Sequence, residues 1–153
     1  MNDMPSHTFA LHPQLAQDSL LLGSYPLCML RMLNTGLYPW FLLIPRRMSG
    51  EQWLGELYDL EAADQQQWLL ESMDLSHQLA AFYQPDKLNI ASIGNRVPQL
   101  HIHHVVRFAS DPAWPGVVWG QPLGDALDAA SLARIRRDFL PALGQGFVMQ
   151  GGL

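Results

Sequence analysis

The chain has one cysteine, Cys28, among its 153 residues, so no intrachain disulfide can form. That fits a reducing compartment. Positive charge is scarce: nine Lys and Arg stand against fourteen Asp and Glu, the formal net charge is −5, and Arg46-Arg47 and Arg136-Arg137 are the basic pairs. A sequence-independent grip on DNA or RNA needs a clustered positive surface, so no nucleic-acid partner is expected. A small anionic ligand remains compatible, because a few local donors can hold a phosphate against an unfavourable net charge. Long apolar runs are also missing. "WFLLIP" is far too short to cross a bilayer, and "MNDMPSHTFALHPQL" lacks the basic-then-apolar order of a secretory signal. The expectation is a cytoplasmic protein with no membrane partner.

What is present is enough apolar material for a sizeable core: 48% of residues are hydrophobic and five are tryptophan. The length fits one domain over 1–153. Residues 1–23 read as an irregular lead-in closed by Gly23. "SYPLCMLRML" (24–33) and "YPWFLLIPRR" (38–47) are strand-length apolar runs around "NTG", which predicts a β-hairpin. In "MSGEQW", Ser49 as a cap, Gln52 completing a capping box and Met48 stapled to Trp53 predict a short helix ending near Leu60.

A longer helix is expected over 62–83. Leu69, Met73, Ala80 and Tyr83 form one stripe beside Trp68, Leu75, Leu79 and Phe82, and the aromatic and methionine stripe reads as core. "KLNIAS" (87–92) and "QLHIHHVVRF" (99–108) read as strands joined by "IGNRVP", and residues 110–125 as a loop rich in Pro and Gly. A last helix should cover about 128–140, with "GQGFVMQGGL" a flexible or partner-dependent tail. A hairpin, helices, two strands and a terminal helix together predict an α+β fold with an antiparallel sheet.

Three of the six histidines fall in "PQLHIHHVVRF". Side chains alternate along a strand, so Gln99, His101, His103, Val105 and Arg107 share one face. Leu100, Ile102, His104, Val106 and Phe108 share the other. Three readings of the polar row are open. The histidines can be structural, each satisfied by a backbone or side-chain partner; that reading is preferred for His104, His7, His12 and His77. A His-x-His pair can also supply two zinc ligands, although no third ligand has familiar spacing. Finally, one imidazole can act as a nucleophile toward phosphorus, forming a labile N–P bond. Such a histidine needs its other nitrogen held by an acceptor and donors around the phosphate oxygens.

The segment "QLHIHHV" resembles the signature of the histidine triad (HIT) superfamily of nucleotide hydrolases and transferases, in which three histidines alternate with hydrophobic residues. "LNIASIGNRVP" is similar to the family's Asn-bearing strand and glycine loop, and "RMLNTGLYPWFLLIPRR" to its early hairpin. The likeness spans about 20–120, leaving the C-terminal helix and tail in 121–153. It implies a sheet of about five antiparallel strands with two or three helices, and a homodimer to which Trp114 and Trp119 can contribute.

The resemblance also implies roles. His101 falls on the nucleophile that forms a covalent nucleotidyl intermediate, and His103 on the histidine that binds phosphate and assists the leaving group. Gln99 stands where the first histidine is usual; it can position but cannot titrate. Asn95 aligns with a phosphate contact, and Asn89 and Asn34 with positions near the nucleotide, Asn34 toward the ribose hydroxyls. His104 departs from the hydrophobic residue of the pattern and reads as packing or a subunit contact. The implied reaction is hydrolysis at the α-phosphate of a dinucleoside polyphosphate or a nucleoside phosphoramidate, with a purine nucleoside phosphate as ligand. The alternative is a nucleotide-binding protein with little turnover. No cofactor is required, and a divalent cation can accompany a polyphosphate substrate.

Overall fold

The structure, a computed structural model, describes residues 8–151. Its centre is β3 (Trp40–Pro45), in which every residue is buried. A run of apolar side chains on both faces requires cover on both faces, and the remaining chain supplies it. β3 pairs with β2 (Cys28–Leu33) from Cys28↔Pro45 to Met32↔Phe41, so the expected hairpin forms, with its loop between Leu33 and Trp40. On its other side β3 pairs with β7 (Ile102–Arg107), which in turn pairs with β6 (Lys87–Ser92). All pairings are antiparallel.

Among the described residues the sheet has six strands against about five expected, in the order β6-β7-β3-β2 followed by β1 (Ser19–Ser24) and β8 (Val148–Met149). The last two come from segments expected to be irregular. The lead-in forms a one-and-a-half-turn helix, α1 (Pro13–Asp18), then β1 (Ser19–Ser24), which pairs with β2. Pro13 sits in the first turn, where a missing N–H costs nothing, and His12 Nδ1 accepts from Gln14 N. The buried Arg31 guanidinium donates to Ser19 O and Ala16 O, anchoring the end of α1. In the tail, β8 (Val148–Met149) pairs with Gly23 and Ser24 of β1. A Cβ on Gly23 would collide with the Val148 carbonyl, so this close approach requires glycine.

The helix expected after Ser49 is absent. Instead β4 (Met48–Ser49) and β5 (Gln52–Trp53) form a tight hairpin in which Met48 and Trp53 are cross-strand partners, followed by a single 3₁₀ turn at Leu57–Asp59. Gly50 at φ +60° makes the reversal, which a helix would not permit. The Leu54 carbonyl accepts from Leu100 N, and Trp53 Nε1 donates to Ala10 O. Long-range bonds thus fix the segment in extended form.

α2 (Ala62–Tyr83) forms as expected and ends at Gln84, which takes a left-handed conformation. Its buried line is Glu71, Ser72, Leu75 and Leu79, with Trp68, Phe82 and Tyr83 packed beside it. Leu69, Met73 and Ala80 face outward, which corrects the stripe expected to be core. The inward strip includes a carboxylate because Glu71 accepts there from Leu27 N and Cys28 N, fixing the turn between β1 and β2. α3 (Ala129–Arg134) continues through a π turn at Ile135–Phe139 and a 3₁₀ turn at Leu140–Ala142.

Two cores result. One lies between α2, the 135–140 segment and the sheet face bearing Leu30, Phe41, Leu43 and Val106. The other lies on the opposite face, where Leu15, Tyr38 and Val118 cover Trp40, Leu42, Ile44 and Val105. The second face carries the histidine row. Among the described residues no helix is long and apolar enough to cross a membrane.

Candidate functional site

β7 is buried along its whole length. His103 pairs with Leu42 and His104 with Phe41, so the two histidines emerge on opposite faces, as alternation requires. His104 is fully buried under α2, with Ser72 Oγ 2.7 Å from its Nε2 and the Ile102 carbonyl 3.2 Å from its Nδ1. The carbonyl can only accept, so Nδ1 carries the proton and the Ser72 hydroxyl donates to Nε2. Burial pushes His104 down to about 4 and keeps it neutral. It ties the sheet to α2; the subunit contact considered for it is excluded by that burial.

His101 and His103 share the other face, with ring centroids 4.9 Å apart. His101 Nδ1 lies 2.6 Å from the Gln99 carbonyl oxygen. Again the carbonyl accepts, so Nδ1 is the protonated nitrogen, and neutral His101 keeps a lone pair on Nε2. Burial lowers its pKa, the Gln99 carbonyl partly opposes this, and nearby His12 lowers it further. His103 takes the opposite tautomer. Trp40 Nε1 lies 2.9 Å from its Nδ1. Indole donates only, so His103 Nδ1 must accept and the ring proton sits on Nε2. Burial, then the neighbouring His101 and His104, push His103 down to about 3.

Both rings line a cavity of about 480 Å³, within the range that holds a nucleotide-sized ligand. One wall is the 93–98 loop, which contributes Asn95 and Arg96; the other is apolar, with Leu33, Val118, Trp119 and Leu123. Gly94 has φ +64°, and a Cβ there would lie 3.2 Å from the Val97 carbonyl and 3.8 Å from His101 Cε1. Glycine therefore lets the loop close onto the histidine. Trp119 packs edge-on against both Trp40 and His103, and its Nε1 is buried without a hydrogen-bond partner among the described residues.

The other expected site residues are placed differently. The Gln99 side chain turns away from the cavity: its Oε1 accepts from His12 N at 2.7 Å and its Nε2 donates to Ala10 O at 3.1 Å. Its backbone carbonyl, not its amide, holds His101. Asn34 is exposed, and its Oδ1 accepts from Leu127 N while Leu33 reaches the cavity. Asn89 Oδ1 accepts from Arg107, whose guanidinium also makes a bidentate pair with Asp111 and donates to Gly116 O. This buried network pins the 110–119 loop that presents Val118 and Trp119. Trp114 lies over Arg107 at 5.7 Å, so it belongs to the same brace. His12 caps α1 and stacks against Trp53, and His77 is exposed on α2. His7 lies outside the described residues. Among the described residues no three His, Cys, Asp or Glu side chains converge where a metal ion could sit.

The description of the HIT domain matches residues 14–110, which is more than half of the chain. The chain belongs to the HIT domain family. Histidine triad proteins of known structure share its fold closely. One from Marinobacter aquaeolei VT8 has a TM-score of 0.84 and 39% identity, covering 91% of this chain and 98% of that one. Another from Bradyrhizobium japonicum has a TM-score of 0.84 and 35% identity, covering 90% and 99%. A third, from Sinorhizobium meliloti 1021, has a TM-score of 0.83 and 30% identity, covering 89% and 98%. Comparison with curated proteins gives no match. The α+β fold with an antiparallel sheet and three helices is thus that of HIT proteins. Sequence reasoning missed Trp40, Trp119, Arg96 and Arg107; of these, Arg107 stood in the alternating row and Arg96 in the glycine loop.

Proposed function

We propose that this HIT protein hydrolyses a nucleotide at its α-phosphate through a nucleotidyl-histidine intermediate. The observation that carries the reading is the tautomer of His101, whose lone pair on Nε2 is directed by the Gln99 carbonyl behind it and fronts a nucleotide-sized cavity. Nε2 attacks the α-phosphorus, forming an N–P bond as the bond from phosphorus to the leaving group breaks. Water then attacks phosphorus, the electron pair of the N–P bond returns to Nε2, and a nucleoside monophosphate departs. The His103 Nε2–H and the Asn95 amide donate to the phosphate oxygens as charge builds. The purine base packs on the apolar wall formed by Leu33, Val118 and Leu123.

Gln99 occupies the place of the first histidine of the triad. Since its carbonyl supplies the hold on His101, the substitution leaves the nucleophile in place, and the side chain serves to fasten residues 10–12. The rival reading is a nucleotide binder with little turnover; it draws on the absence of a titrating group at position 99. The protein is also proposed to form a two-fold dimer, for which the unpaired edge of β6, with Ile90 exposed, offers a self-complementary surface. Sedimentation at micromolar concentration reads the dimer directly.

Quenching a reaction with diadenosine tetraphosphate without acid, followed by mass spectrometry, is expected to find a nucleotidyl group on His101. His101→Ala should lose both the adduct and the turnover. Tight AMP binding with no product in the wild type would leave the binder.

A further inference from the structure

Two features of the cavity bear on which bond the site can break, and both follow from the hydrolase reading above. The first is electrostatic. Among the described residues Arg96 is the one formally charged side chain in the cavity wall, since His101 and His103 are neutral. It is exposed, and among the described residues it makes no ion pair or hydrogen bond. The chain as a whole carries −5, so this cation is not part of a general positive surface. Its planar fork suits the oxygens of a phosphate.

The second feature concerns protons. A leaving amine must gain a proton as its bond to phosphorus breaks, because an amide anion does not survive in water. A leaving polyphosphate needs none. Among the described residues the site offers no side chain to give one. The Nδ1–H of His101 is held by the Gln99 carbonyl, behind the ring. His103 can become an imidazolium only by putting a proton on Nδ1, where it would face the Trp40 N–H, donor against donor. Its remaining Nε2–H belongs to a neutral ring and serves as a hydrogen-bond donor alone. Gln99 does not titrate and is turned toward Ala10 and His12. Arg96 holds its proton too tightly to release it.

We propose that this site selects substrates whose leaving group departs as a phosphate anion, with Arg96 binding that anion, and discriminates against phosphoramidates. The reaction balances without an acid. As Nε2 of His101 bonds to the α-phosphorus, the bridging P–O bond breaks and its electron pair stays on the oxygen, which becomes an anionic oxygen of the terminal phosphate of the departing nucleoside polyphosphate. That product carries more negative charge than any amine, and the guanidinium stabilises it as it forms.

The test compares kcat/KM for diadenosine tetraphosphate and for adenosine 5′-phosphoramidate in the wild type, Arg96→Ala, Arg96→Lys and Trp40→Phe. The wild type should favour the polyphosphate by about a hundredfold or more. Arg96→Ala should shrink that ratio by about tenfold to a hundredfold, the range for one charge-assisted hydrogen bond, and Arg96→Lys should restore part of it. Trp40→Phe frees His103 Nδ1 and should raise phosphoramidate turnover as the pH is lowered, which a purely structural role for Trp40 would not do. A wild type that prefers the phosphoramidate, or a ratio unmoved by Arg96→Ala, overturns the proposal. Turnover of neither substrate would instead defeat the hydrolase reading, and selectivity is then read by tryptophan-fluorescence titration with ATP and AMP. Tighter ATP binding that disappears in Arg96→Ala supports the role of Arg96; equal binding of the two overturns it.

Discussion

His104 makes the fold sensitive to acid in a calculable way. Its ring is fully buried between β7 and α2 and is pushed down to about 4 from an ordinary value of 6.5. In the unfolded chain it recovers that ordinary value. Between pH 6.5 and about 4 the unfolded state therefore holds a proton that the folded state lacks. Stability is complete above this window, falls as the pH drops through it, and falls no further below about 4 on account of this group. Integrated from pH 7.5 down to 4.5, the loss attributable to His104 is about 2–3 kcal/mol. His103, pushed down to about 3, acts in the same direction, its position on the wall of the open cavity moderating its share. Urea unfolding at half-unit steps across pH 4.5–7.5 measures the slope. His104→Gln should lower stability at neutral pH, through the lost bond to Ser72, yet flatten the slope by up to about 1.4 kcal/mol per pH unit. A variant whose slope matches the wild type would refute the reasoning, because then the buried imidazole is not what binds the proton.

Three further expectations concern the parts that hold the site in place. Gln99→Ala removes both bonds to Ala10 and His12 and should cost about 1–3 kcal/mol of stability, while the His101 Nδ1 proton should persist in ¹⁵N–¹H spectra because its acceptor is a backbone carbonyl; loss of that proton would show that the side chain positions the ring. Arg107→Ala strands Asp111 and Asn89 and should cost about 3–5 kcal/mol, with hydrogen exchange rising first in residues 110–119 and nucleotide affinity weakening; unchanged exchange there would rule out the brace. Glu71→Ala leaves Leu27 N and Cys28 N without acceptors inside the core and should cost about 3 kcal/mol in thermal or urea unfolding, an effect that Glu71→Gln, which keeps an acceptor oxygen, should reduce.

The legible part of the fold consists of elements whose pattern is set by their own residues. α2 announces itself by period and by the Gln84-Pro85 stop, and β3 by an unbroken apolar run between two prolines. The run from His101 into β7 shows its alternation, which places His101 and His103 together and His104 opposite. The illegible part depends on partners far along the chain. "SLLLGS" becomes a strand because β2 and Val148-Met149 flank it. "MSGEQW" carries a complete capping signature, but Gly50 at positive φ and the long-range bonds from Trp53 and Leu54 favour a hairpin. The helical period also placed Leu69, Met73 and Ala80 in the core of α2, since a buried carboxylate at Glu71 is invisible until its two N–H donors are known.

The same distinction governs the candidate site. Alternation could not orient Gln99, because β7 begins at Ile102 and the residues before it follow a loop, not a pleat. Asn89 does lie on the expected face, opposite Val105, but its oxygen is taken by Arg107, two places further along the same row. What residue types alone could not disclose is the pair of tautomers. Two imidazoles 4.9 Å apart are chemically alike until each receives a partner behind it. A carbonyl behind His101 turns a lone pair toward the cavity, and an indole N–H behind His103 turns a donor toward it. In the proposed reaction, nucleophile and anion binder are thereby distinguished by one backbone oxygen and one tryptophan. Exchanging those two partners would exchange the roles without altering either histidine.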